Sequence, residues 1–135
     1  MNIRDITIED YEKLISFWEA NYFVSEMDSL EGFTLFLEKN PHLSILTEEN
    51  GKIIGTVLGS FDGRRGYLQK LVVDKTFRKK GIGQQLVEEV LKRLHVIGTV
   101  YIPIAVEENL VDFYEKCGFK QTAQIPMSIE LSSLF

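Results

Sequence analysis

The stretch Leu71-Val72-Val73-Asp74-Lys75-Thr76-Phe77-Arg78-Lys79-Lys80-Gly81-Ile82-Gly83-Gln84 carries the residue types with the clearest chemistry. An apolar run gives way to a turn holding Lys75, Arg78, Lys79 and Lys80, and then to Gly81 and Gly83 at the head of a helical pattern. The first turn of a helix has N–H groups without intrahelical partners and the positive end of the backbone dipole. Glycines at that point let a ligand come close to the backbone, so the pattern predicts a cradle for phosphate oxygens. Three readings compete. A dinucleotide-binding turn wants G-x-G-x-x-G, and Leu86 stands where its third glycine belongs. A phosphate-binding loop of the form G-x-x-x-x-G-K-[ST] is absent. The third reading is a plain helix start with a solvated basic turn, which a lone G-x-G favours.

The elements around this stretch follow from periodicity and turn chemistry. Met1 to Ile6 reads as a short strand. Thr7 opens a helix with Asp10 completing a capping-box pair, and Tyr11, Leu14, Ile15 and Trp18 form its apolar face. Leu30, Phe33 and Leu37 mark a second helix, stopped at Asn40-Pro41. Leu43 to Thr47 and Lys52 to Ser60 are strands joined at Asn50-Gly51, a strong hairpin signal. Asp62-Gly63 starts the next turn, and Tyr67 to Val73 is the strand that leads into the basic turn. Ile82, Leu86, Val90 and Leu94 then recur at steps of four, a third helix, with Glu88–Lys92 and Glu89–Arg93 as supporting pairs. Thr99 to Val106 reads as a strand and Leu110 to Cys117 as a short helix ended by Gly118. Gln121 to Ile125 and Met127 to Leu131 read as a final strand pair around Pro126. The order β-α-α-β-β-β-α-β-α-β-β describes a mixed α/β (α+β) domain. With 135 residues and no linker or repeat, one domain over residues 1–135 is expected.

Two motifs in this order carry a family resemblance. Arg78-x-x-Gly81-x-Gly83, after an apolar strand and before an amphipathic helix, resembles the coenzyme A signature of the GNAT superfamily of N-acetyltransferases. Phe113-Tyr114-Glu115-Lys116-Cys117-Gly118-Phe119 is similar to that family's C-terminal motif of aromatic-Tyr-x-x-x-Gly-Phe. The two together, in the expected order, are more specific than either alone. Gly55-Thr56-Val57, Asp62-Gly63 and Arg65-Gly66 resemble a small bacterial branch. The resemblance implies a GNAT-like acyl-CoA N-acyltransferase fold, a twisted mixed sheet of six to seven strands flanked by four helices. It also implies acetyl transfer from acetyl-CoA, as co-substrate, to a primary amine of a protein or small molecule.

By the same resemblance the backbone of Leu71, Val72 and Val73 would pair with the pantetheine arm, and the Val73 N–H would hold the thioester carbonyl. Amides of Lys79, Lys80, Gly81, Ile82, Gly83 and Gln84, with Arg78 from the signature, would bind the pyrophosphate. Such donors polarise the carbonyl and stabilise the oxyanion as the amine attacks. Lys75, Lys79 and Lys80 either meet phosphate charge or lie on a solvated face. Tyr114 is the candidate general acid, protonating the departing thiolate. Read without the motif it is a core tyrosine. Asn109 is a further coenzyme candidate or an N-cap of the short helix. The family's asparagine stands seven residues before the tyrosine, a place held here by Glu107. No general base is evident in Tyr67 to Val73, which offers only Gln69 and Lys70. Glu26, Asp28, Glu107 and Glu108 could act through water, and a water chain is the default.

Composition narrows the remainder. Net charge of −5 argues against broad nucleic-acid binding. One cysteine, Cys117, and two distant histidines, His42 and His95, give no metal-ligand spacing, so no metal is expected. Cys117 reads as a buried structural thiol, and Pro103 as marking a place where the central strands splay. No apolar run suits a membrane span, the start has no signal-peptide pattern, and a cytoplasmic location is expected. A homodimer through an exposed strand is an open possibility. Two other classes remain as readings: a coenzyme A-binding sensor of the same fold, and an interaction domain that binds no nucleotide.

Overall fold

The computed structural model describes residues 2–135. The first strand, β1, spans Asn2–Asp5; Met1, with which the expected strand begins, lies outside the described residues. A turn of 3-10 helix at Ile8–Asp10 follows, with the predicted capping box between Thr7 and Asp10. It runs into α1, Tyr11–Asn21. A second capped turn at Glu26–Asp28 precedes α2, Leu30–Lys39, whose N-cap Ser29 accepts from Gly32 N–H. Strands β2 (Ile45–Glu49), β3 (Lys52–Phe61) and β4 (Gly66–Val73) form the meander expected from the turn residues. Asn50 and Gly51 hold φ of 53° and 76°, the pair of positive values that a two-residue hairpin turn requires. The long helix α3 covers Ile82–Val96 and the short helix α4 Val111–Lys116.

The sheet is antiparallel in the order β1-β2-β3-β4. β3 lies in its interior and is buried from Ile53 to Gly59, which explains an apolar run without polar alternation. On one face Leu14, Phe17 and Trp18 of α1 and Phe33 of α2 pack with Leu46, Ile53, Leu58 and Val72. On the other, Ile82, Leu86, Val90 and Leu94 of α3 pack with Ile45, Ile54 and Val57. The steps of four on α3 are matched by small residues on β3. A Cβ at Gly55 would stand 2.9 Å from Leu86 Cδ1, and one at Gly59 would stand 2.7 Å from Val90 Cγ2 and 2.5 Å from the Leu43 carbonyl oxygen. Helix and strand approach so closely that the two glycines are part of the packing.

Among the described residues the sheet has four strands, fewer than the six to seven expected. Among the described residues the backbone of 99–104 joins the sheet through one isolated bridge: Arg65, just before β4, bridges Tyr101 in parallel sense, and Gly66 N–H donates to the Tyr101 carbonyl at 3.0 Å. Pro103, two residues on, has no N–H for a ladder, and the expected strand does not continue. The expected pair around Pro126 likewise forms no ladder.

The chain divides into two compact units, one ending at Ile104 and the other spanning Ala105–Phe135. In the second, a 3-10 turn at Glu108–Leu110 leads into α4. Gly118, at φ 103°, ends that helix while Phe119 N–H returns to the Tyr114 carbonyl at 3.1 Å.

Candidate active site

β4 is an edge strand beyond its first residue, and a bulge governs what that edge presents. Thr56 pairs with Val72 and Leu58 with Gln69, so Lys70 and Leu71 together oppose Val57. Lys70 takes φ of 52° to make the bulge. Its carbonyl turns inward and accepts from Thr56 Oγ1 at 2.9 Å. Thr56 Oγ1 in turn accepts from the fully buried Trp18 Nε1 at 3.0 Å. This relay ties α1, β3 and the bulge together, and it leaves each of those buried polar atoms satisfied.

Past the bulge, Asp74 N–H donates to the Ile54 carbonyl at 2.9 Å. In an antiparallel ladder the hydrogen-bonding residues alternate, so Val72 faces β3 as Asp74 does, while the N–H and C=O of Val73 face the open edge. The Val73 carbonyl there accepts from Arg78 Nε at 3.1 Å, and Arg78 Nη2 reaches the Asn21 carbonyl at 3.3 Å. The guanidinium therefore clamps the end of β4 to the end of α1. Lys75 N–H to Asn21 Oδ1, 3.0 Å, closes the same corner.

The turn from β4 to α3 is stiffened at its start by Asp74, which accepts from Thr76 N–H at 2.8 Å and Thr76 Oγ1 at 2.7 Å. Those bonds, the backbone one foremost, hold the Asp74 carboxyl below its ordinary range, and Lys52 at 3.7 Å adds to the effect. Lys79 and Gly81 both adopt left-handed backbone, φ 63° and 83°. Gly81 is the N-cap of α3 and offers no side chain to its first turn, which also carries no acid. Open space surrounds the position of a Gly81 Cβ. The opening N–H groups of α3 thus have neither a capping oxygen nor a competing carboxylate from their own helix end, and left-handed residues beside them shape a concave nest. Lys80 Nζ lies 5.1 Å from the Phe77 ring centroid, so this ammonium is partly held by an aromatic face.

In the second unit Tyr114 is half-buried on α4, with Phe113 and Phe119 packed edge-on to its ring at 5.0 and 5.7 Å between centroids. Asn109 sits inside the 3-10 turn and is exposed. The N-cap of α4 is Leu110 and that of the turn is Glu107, so Asn109 is not the helix cap that was its alternative role. Cys117 is half-buried rather than buried.

The acids considered as proton acceptors differ sharply. Glu26, Glu107 and Glu108 are exposed. Asp28 is buried, its Oδ2 accepting from Ser25 N–H at 2.9 Å and pairing with Lys70 Nζ at 2.9 Å. Lys70, whose only role in the sequence was as a residue standing where no carboxylate was found, is the residue the sequence reading missed. Its signal was a charge inside the run Tyr67-Leu68-Gln69-Lys70-Leu71-Val72-Val73, with no partner visible in sequence. Among the described residues no group of three or more His, Cys, Asp or Glu gathers to hold a metal, and no helix is long and apolar enough to cross a membrane.

Comparison with known proteins extends this geometry. The profile of the acetyltransferase (GNAT) family matches residues 3–119. An acetyltransferase of Pectobacterium atrosepticum is 32% identical over 124 residues, covering 89% of this chain and 88% of that protein. The crystal structure of glucosamine-6-phosphate N-acetyltransferase from Arabidopsis thaliana matches with a TM-score of 0.75 at 26% identity, covering 96% of this chain and 97% of the other. A predicted acetyltransferase from Clostridium acetobutylicum, solved with acetyl-CoA, matches with a TM-score of 0.76 at 18% identity over 98% and 97% of the two chains.

Proposed function

We propose, from the premise that this chain belongs to the acetyltransferase (GNAT) family and is an acetyltransferase, that it moves the acetyl group of acetyl-CoA to a primary amine. One observation carries the reading: an open strand edge at Val73 leads, within a single turn, to an uncapped helix N-terminus at Gly81. The first can pair with an amide-bearing arm and the second can hold a diphosphate, which is the order of groups along coenzyme A. The Clostridium acetobutylicum protein, solved with acetyl-CoA, supports the same choice of co-substrate.

In this reading Leu71 and Val73 line the edge that takes the pantetheine amides, with Val72 turned toward β3. The Val73 N–H meets the thioester oxygen. As the amine attacks the carbonyl carbon, negative charge grows on that oxygen, and a fixed backbone donor stabilises it without reorganising. The amides of Lys79 to Gln84 receive the diphosphate, and Arg78 acts by fixing the corner from which they project. The C–S bond then breaks, and the Tyr114 phenol is proposed to return a proton to the sulfur. The amine loses its proton to water. Residues 1–135 are read as one N-acetyltransferase domain.

Thermal unfolding with and without excess acetyl-CoA tests the site. At about one hundred times its dissociation constant a ligand adds roughly 2.7 kcal/mol, a rise of several degrees for a chain of this size. Gly81→Glu should abolish that rise, since it forces a side chain onto a left-handed residue and sets a carboxylate at the nest. A wild-type protein that shows no rise at millimolar acetyl-CoA would refute the reading.

A further inference from the structure

The Lys70 side chain is 9% exposed, and its surroundings are complete. Its ammonium lies 2.9 Å from Asp28 Oδ2 and 2.7 Å from the Phe23 carbonyl oxygen. The same nitrogen faces three rings, with centroids at 5.0 Å for Trp18, 5.4 Å for Tyr22 and 4.5 Å for Phe23. Two acceptors and three aromatic faces are a receptor for a primary ammonium. The faces attract any cation, while the two oxygens demand N–H donors.

Two of the walls, Trp18 and Asp28, are held independently of their occupant. Trp18 is fixed by its bond to Thr56 and by edge-on contact with Phe33 at 5.9 Å. Asp28 is fixed by the Ser25 cap, and its carbonyl accepts from Tyr11 Oη at 2.6 Å. Tyr22 and Phe23, with centroids 4.2 Å apart, come from the connection between α1 and α2. That connection and the β4 bulge meet through Lys70, directly before the strand edge Leu71 to Val73.

We propose that Lys70 is a specificity-determining residue. Its ammonium fills an acid–aromatic cage that would otherwise take the second, non-reacting cation of a polycationic amine. The proposal rests on the amine-acceptor reading above for its purpose, but the cage itself stands on the contacts. Three residue steps along β4 separate Lys70 from Val73, at most about 10 Å of backbone, a span that a polyamine can bridge. An internal ammonium competes at high effective concentration, so an external one does not enter. It also neutralises Asp28. Asp28, which the sequence offered as a proton acceptor, is thereby withdrawn from the surface available to a cationic acceptor.

The test is thermal unfolding of wild type and Lys70→Ala with n-butylammonium chloride, spermidine, n-butanol and sodium chloride. Lys70→Ala should melt lower than wild type, because it leaves the buried Asp28 carboxylate without its counter-ion and the Phe23 carbonyl without its donor. n-Butylammonium and spermidine should recover about half or more of that loss, whereas the alcohol and the salt at equal ionic strength should not. Wild type should respond to none of them. Recovery that is absent, or equal with n-butanol, overturns the cage. Should Lys70→Ala not fold, Lys70→Met, Asp28→Asn and their double variant decide instead. Coupling of at least about tenfold in the unfolding constant supports the cage, and additive effects overturn it. The acetyl-CoA response, measured in parallel, separates the two readings. Its loss in wild type refutes the proposed function, whereas its retention without amine recovery refutes only the cage.

Discussion

A residue with a Cβ at positive φ sits in a sparsely populated conformation, held only where the surroundings over-determine it. Lys70 and Lys79 both hold such values, one at the bulge of β4 and one at the entry to α3. Strain of this kind clusters at ligand clamps and active sites, and here it brackets the open edge at Val73. The catalytic step proposed for Tyr114 belongs to the same scale. Removing its hydroxyl leaves both edge-on ring contacts in place. Tyr114→Phe should therefore lower kcat about 100-fold or more, as the loss of a general acid does. The rise in melting temperature with acetyl-CoA should stay within a degree or so of the wild-type value. A variant that turns over normally would remove Tyr114 from the chemistry. One that has lost its coenzyme response would make it a binding residue.

At the scale of elements, α3 is placed by what β3 lacks. With a Cβ at Gly59 only 2.5 Å from a backbone carbonyl oxygen and 2.7 Å from Val90, helix or strand must shift. Gly59→Ala should cost about 1–3 kcal/mol in denaturant unfolding, more than its gain in strand propensity, and an unchanged midpoint would show that α3 is free to retreat. The helices and the meander were legible because their signals are local. Capping pairs, steps of four, Asn50-Gly51 and Asn40-Pro41 each decide a boundary within a few residues. The segments after Gly98 that were expected as strands were not legible in the same way. The apolar run in 99–106 read as a strand, yet pairing is a property of two segments, and Pro103 interrupts the donors on one of them. The candidate site divides along the same line. The nest at Gly81 is local and readable. The cage around Lys70 is assembled from α1, the Tyr22 to Asp28 connection and β4, residues up to about fifty positions apart, and no spacing rule reports it.

Across the first unit, carboxylates of the N-terminal segment hold opposite faces of the sheet to β1. Asp5 pairs with Arg93 of α3 and with His42, and Asp10 takes a two-pronged bond from Arg4 at 2.8 and 2.9 Å while capping Thr7 N–H at 2.9 Å. Arg93 first and then His42 lower the Asp5 carboxyl from its ordinary value; Arg4 lowers Asp10, helped by the Thr7 amide. A carboxyl depressed in the folded state binds fewer protons there than in the unfolded chain. Its contribution is complete above the unfolded value, near pH 4, and is lost as pH falls through that value toward the lower folded one. The melting temperature should accordingly hold between neutral pH and about pH 5 and fall steeply below about pH 4. Asp10→Asn isolates one of these groups. It keeps an oxygen for the Thr7 amide but removes the charge facing Arg4, which should cost about 1–3 kcal/mol at pH 7. As pH falls through the unfolded value of about 4 and on through the lower folded one, the wild-type carboxyl takes up its proton, and the variant and the wild type should converge. Melting curves taken from pH 7 to pH 2.5 measure that gap directly. A gap that stays constant across the range would mean that shape and not charge joins Asp10 to β1.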